Sequence, residues 1–123
     1  MNYTVFDSLV GKIKLIEEDN KVIEIEFVKD EKNIDSKNKV LKLAKKELEE
    51  YFCGKRKNFT FPFKVNGSEF ALKVYMALIE IPYGETCSYK DIARKIGNEN
   101  SQRAVGGANN RNKLPILILE ILP

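Results

Sequence analysis

Histidine is absent from all 123 residues. That excludes Ser-His and Cys-His nucleophile pairs, imidazole metal sites and histidine general bases within these residues, whatever their fold. Cysteine occurs twice, at Cys53 and Cys87, with no CxxC spacing, so neither a disulfide framework nor a zinc site is indicated. No apolar run approaches the roughly 18 residues of a membrane span. The first residues, "MNYTVFDSLVGKIK", lack a basic stretch followed by an apolar one, so no secretory signal is visible and a cytoplasmic protein is expected. Repeats and low-complexity tracts are also missing.

What remains is an ordinary globular composition, 43% apolar and 32% charged, at a length that suits one domain or two small lobes. The charge is unevenly spread. Residues 1–53 carry 10 lysines and arginines against 12 carboxylates, while residues 54–123 carry 11 against 6. The C-terminal part is therefore the candidate partner of a polyanion, although a solvated basic face explains the same excess.

Alternation of apolar and polar residues predicts three strands, Tyr3–Phe6, Lys12–Glu17 and Val22–Val28, with turns at Gly11 and at Asp19-Asn20. Residues 31–39 read as a polar loop. Val40, Leu41, Leu43, Ala44, Leu48 and Phe52 follow at helical spacing, and Gly54 ends that run. Residues 55–67, with Pro62 and Asn66-Gly67, read as a linker. Beyond it, Ser68 is an N-cap candidate for a helix presenting Phe70, Val74, Ala77, Leu78 and Ile81 and stopping at Pro82. A turn at Tyr83-Gly84 leads to a short helix capped by Ser88, with Asp91 as its capping-box partner. Gly97 closes it, and a second short helix follows. Two short helices across a glycine-containing turn outline a helix-turn-helix.

In that second helix Arg103 is followed by Ala104-Val105-Gly106-Gly107-Ala108, a run with little side-chain bulk. Small residues let a backbone approach closely, which serves helix packing and entry into a narrow minor groove alike. Arg94, Lys95, Arg111 and Lys113 are placed to reach phosphates.

The stretch "IPYGETCSYKDIARKIGNENSQRAVGGANNRNKLPILI" closely resembles the C-terminal domain of the O6-alkylguanine-DNA alkyltransferases, the methylated-DNA–protein-cysteine methyltransferases. "YTVFDSLVGKIKL" and "LEEYFCGKRKNFTFPF" resemble that family's N-terminal lobe, so the likeness spans nearly the whole chain. It implies an α+β fold. A ribonuclease H-like lobe of small antiparallel sheet plus helix, residues 1–58, is followed by a winged-helix, helix-turn-helix DNA-binding lobe, residues 59–123. It also implies DNA repair as a monomer: the protein enters the minor groove of double-stranded DNA, flips an alkylated guanine out, and passes the alkyl group irreversibly to a thiolate. Flipping is physically required, because the O6 atom of a stacked guanine cannot reach a buried sulfur.

By the same resemblance Arg103 is the finger that fills the vacated stack, and Tyr89 the tyrosine that crowds the phosphate. Asn112 is the hinge between recognition helix and active-site strand, and Gly106 lies where a pocket wall needs no side chain. From the residues alone, a core aromatic behind a capping serine stays open as the alternative for Tyr89. No metal and no cofactor are implied, since the zinc ligands of some N-terminal lobes have no counterpart here.

The departure falls after "PILI". The family continues with Pro-Cys-His-Arg-Val, where Cys is the acceptor. Here the residues are Leu119-Glu120-Ile121-Leu122-Pro123, which put Glu120 at the acceptor position in an ungapped alignment. No catalytic residue is therefore assigned, and the expectation is a DNA-binding fragment that does not transfer, its acceptor segment lost by truncation or frameshift and its second lobe incomplete. Two alternatives stay open: an alkyltransferase-like sensor that binds lesions without repair, and a small winged-helix regulator. Neither Cys53 nor Cys87 has an evident activator, because a free thiol is only a few per cent ionised at neutral pH.

Overall fold

A computed structural model describes residues 1–81 and 87–115. Pro82, the Tyr83-Gly84 turn, the "PILI" strand beyond Pro115 and Glu120 lie outside the described residues. The chain forms two units, Met1–Lys64 and Val65–Pro123.

The first unit is a meander of β1 (Asn2–Ser8), β2 (Gly11–Glu18) and β3 (Lys21–Val28), antiparallel in the order β1-β2-β3. Phe6 pairs with Ile13, Ile13 with Phe27, and Leu15 with Ile25, so the apolar positions of three strands share one face. Asp19 and Asn20 both have positive φ, 52° and 65°, as a two-residue hairpin matched to right-handed strand twist requires. The Glu17 carboxylate secures this corner by accepting from Asn20 N at 2.8 Å and Asn2 Nδ2 at 3.0 Å. These bonds hold its carboxyl below the ordinary range.

The loop at residues 31–39 does more than connect. Ile34 exchanges two backbone hydrogen bonds with Val5, at 3.0 and 2.9 Å, and its carbonyl also accepts from Thr4 Oγ1 at 2.6 Å. The open edge of β1 is thereby partly covered.

Helix α1 (Lys39–Phe52) starts at Asn38, whose side chain accepts from Leu41 N at 3.0 Å. Leu41, Ala44 and Leu48 are buried, as their spacing predicts, and α1 packs on all three strands. Leu43 is instead 37% exposed, and the residue that completes the buried face is Glu47, at 1%.

Residues 55–67 read as a linker in sequence, but Thr60–Lys64 joins the sheet. Val22 N donates to Pro62 O and Lys64 N to Val22 O, both at 2.9 Å, so Phe63 forms a parallel bridge with Val22. Phe61 is buried, and the Phe59 ring lies 5.1 Å from that of Tyr51 and 5.5 Å from that of Phe61. The first unit runs to Lys64. Alternate aromatic residues in an extended segment bury against the sheet and outweigh the turn signal of Pro62.

The second unit is helical among its described residues: α2 (Glu69–Ile79), α3 (Tyr89–Lys95) and α4 (Gln102–Asn110). Its core is built by Val74, Leu78, Ile92, Val105 and Leu114, all nearly inaccessible. No helix among the described residues is long and apolar enough to cross a membrane.

Candidate nucleic-acid interface

Helix α3 begins with a complete capping box. Ser88 Oγ accepts from Asp91 N and Asp91 Oδ2 accepts from Ser88 N, each at 3.1 Å. Those bonds hold the Asp91 carboxyl below its ordinary value. At the other end Gly97, with φ of 83°, takes the left-handed conformation that ends a helix cheaply only at glycine. The turn then reaches Ser101, whose hydroxyl donates to Asn98 O at 2.7 Å. That hydroxyl makes no cap bond to α4.

Helix α4 packs against both α2 and α3. Val105, Gly106 and Ala108 are buried, whereas Gln102, Arg103 and Ala104 are exposed. Its small residues are thus divided between two faces. At Gly106 the reason is steric: a Cβ there would lie 3.1 Å from Tyr89 Cε2 and 3.5 Å from Cδ2 and Cζ. The ring of Tyr89, itself half-buried, occupies the space that a side chain at 106 would need.

The residues singled out from the sequence are placed as follows. Tyr89 and Gly106 are in contact. Arg103 is exposed in the first turn of α4 and makes no ion pair among the described residues. Arg94 lies on α3 with Glu99 at 3.9 Å, and Lys95 pairs with Glu80 at 2.8 Å; all four are largely solvated, so neither pair adds much stability. Arg111 is the C-cap of α4, and its guanidinium lies over Gly107, with Nη1 3.2 Å from where a Cβ would stand. Asn112 follows, its Oδ1 accepting from Leu114 N at 2.8 Å, which turns the chain as it leaves the helix.

Residues 1–65 match the family model of the 6-O-methylguanine DNA methyltransferase ribonuclease-like domain, and residues 69–118 match that of the DNA binding domain of the same proteins. The chain belongs to the 6-O-methylguanine DNA methyltransferase family. The constitutive methylated-DNA–protein-cysteine methyltransferase of Bacillus subtilis is 40% identical over 126 residues, covering 94% of this chain and 76% of the relative. That of Methanosarcina acetivorans is 39% identical over 124 residues, covering 96% and 80%. Among solved structures, Mycobacterium tuberculosis O6-methylguanine methyltransferase matches with a TM-score of 0.88 at 28% identity, over 98% of this chain and 78% of that one. The M. tuberculosis OGT solved in complex with DNA matches at 0.82 and 30%, over 95% and 74%. The α+β fold of this methyltransferase family, a sheet lobe followed by a helical lobe, is the one described above.

Tyr75, which the sequence pattern does not single out, faces the core of the second unit at 2% exposure, and its hydroxyl donates to Ala108 O at 2.7 Å. The available signal was an aromatic residue with a polar tip on the apolar side of α2, since a buried Tyr hydroxyl needs a partner.

Size at position 106 provides a direct check. Gly106→Ala gains about 1 kcal/mol of helix propensity and loses a similar amount to the Tyr89 contact, so its thermal midpoint should stay near the parent's. Gly106→Val adds branching that the ring cannot clear and should destabilise the second unit by about 2 kcal/mol. Equal midpoints for the two variants would mean that Tyr89 does not limit this position.

Proposed function

We propose that the second unit binds double-stranded DNA as a monomer through α4, with Arg103 entering the minor groove where it replaces a flipped O6-alkylated guanine. The observation that carries this reading is the division of α4. Its inner face is held against Tyr89 at a glycine, while the start of the helix presents Arg103 free of any ion pair among the described residues. A cation on a surface of low bulk suits a narrow groove of negative potential. Arg94 and Arg111 contact phosphates on either side, Tyr89 presses on the nucleotide being rotated, and Asn112 turns the chain toward the residues that follow.

The two cysteines in these 123 residues are not the alkyl acceptors in this reading. Cys53 is exposed at the C-cap of α1, in the sheet-containing unit. Cys87 precedes the cap of α3, and burial together with the Asp91 carboxylate pushes its thiol up, against a smaller opposing effect of Lys95. A raised thiol is less ionised at neutral pH, and the thiolate is the form that attacks an alkyl carbon.

Two measurements test the proposal. A gel-shift titration should give tighter binding to a duplex containing O6-methylguanine than to its guanine counterpart, and equal affinities would remove the lesion-recognition reading. Intact-mass analysis of these 123 residues after incubation with the methylated duplex should show no added methyl group. A single methyl on Cys53 or Cys87 would overturn the assignment of both thiols.

A further inference from the structure

Helix α4 is a poor helix by composition. It has nine residues, two adjacent glycines in its middle, and no side-chain bond at its N-cap. Such a segment does not hold its shape alone, because glycine costs about 1 kcal/mol per helical position and nine residues are too few for an isolated helix. Its geometry therefore depends on anchors supplied by its neighbours. One is the Tyr89 ring against Gly106. The other is the phenol of Tyr75.

Tyr75 comes from α2, and its hydroxyl reaches the Ala108 carbonyl at 2.7 Å in a buried environment. That carbonyl belongs to the last turn, where backbone acceptors run out of intrahelical donors. Arg111 N also reaches it at 3.1 Å, sharing its hydrogen with Gly107 O at 3.2 Å. The phenol thus fixes, from another helix, the point at which α4 hands over to Arg111 and Asn112.

We propose that Tyr75 is a positioning residue for the DNA-facing helix: its hydroxyl holds the C-terminal turn of α4 in register so that Arg111 and Asn112 are presented correctly to a rotated nucleotide. The proposal rests on the reading of α4 given above. Tyr75→Phe removes the single oxygen and leaves the ring, and the Ala108 carbonyl keeps Arg111 N as a donor, so the variant folds.

The experiment uses the whole chain in two arms. Without DNA, backbone amide exchange at residues 110–112 should rise about tenfold in Y75F while the amides of α3 stay unchanged. With a saturating amount of protein on a duplex carrying 2-aminopurine at the target position, the fluorescence gain that reports flipping should fall about fivefold. Ser68→Ala removes the α2 N-cap and weakens the same unit without touching α4. It should leave the flipping signal at saturation at its parent value, which a purely structural role for Tyr75 would also predict of Y75F. Unchanged exchange at 110–112, or raised exchange with undiminished flipping, overturns the proposal. If the parent protein itself gives no flipping signal, the reading of α4 fails, and the exchange arm alone decides whether Tyr75 holds its end.

Discussion

Arg103→Ala is expected to lower the flipped fraction of an O6-methylguanine duplex by about tenfold or more, while affinity for an undamaged duplex falls only a few-fold. Flipping costs a few kcal/mol of stacking and pairing, and a side chain that fills the vacated space returns part of it. Alanine is too short to do so. Arg103 stands exposed in the first turn of α4, and the helix behind it is packed through Val105, Gly106 and Ala108, which the substitution leaves alone. Fold and thermal midpoint should therefore be conserved. Arg103 is one cation among several, so its loss should flatten the dependence of log Kd on log salt by about one. Arg103→Lys keeps the charge without the planar guanidinium and should recover the salt slope but not the full flipping signal. A pure phosphate contact would behave differently, losing affinity on both duplexes equally. A winged-helix regulator would instead lose preference among undamaged sequences.

The largest expected effect on stability is in the other unit. Glu47→Ala should destabilise the sheet-containing unit by about 3 kcal/mol, seen as a thermal midpoint lowered by about 15–20 °C and faster amide exchange at 60–64. Glu47 is 1% exposed on the sheet-facing side of α1. Its carboxylate accepts from Thr60 N at 2.6 Å, from Phe61 N at 3.3 Å and from the Thr60 hydroxyl, and Arg56 lies at 3.8 Å. Truncation leaves the Thr60 and Phe61 amides without their acceptor and frees the segment that adds Phe63 to the edge of β3. Burial pushes this carboxyl up, but the hydrogen bonds of Thr60 and Phe61 and the charge of Arg56 outweigh it, so the folded group titrates below its ordinary value. The contribution is therefore complete above the unfolded carboxyl's pKa, about 4.3, and is lost as pH falls through the lower folded value. Acid titration of stability should show the parent falling more steeply than E47A below about pH 4. Parallel curves would mean that the carboxylate is not the source of the effect.

Much of this was legible in one dimension because the signals are local. The positive φ of Asp19 and Asn20, the caps at Ser68 and Ser88 with Asp91, and the stop at Gly97 each depend on a few neighbouring residues, and each stands where the sequence places it. Glu47 was not legible. On a helical wheel it is one more charge in a Lys- and Glu-rich run, and its partners are the amides of residues 60 and 61, which become donors to it only after the chain has doubled back. The same holds for Thr60–Lys64, whose Pro62 signals a turn in isolation although its aromatics pack once a sheet exists.

The family, the order of the lobes and the identity of the polar residues on α3 and α4 can be read in one dimension, since motif spacing and capping chemistry are carried by residue type and interval alone. That Gly106 is small because the Tyr89 ring fills its place, and that the last turn of α4 meets a phenol from α2, emerges from the folded packing. Contacts between residues far apart in the chain depend on where helices cross, and crossing geometry is set by the packing of every side chain between them.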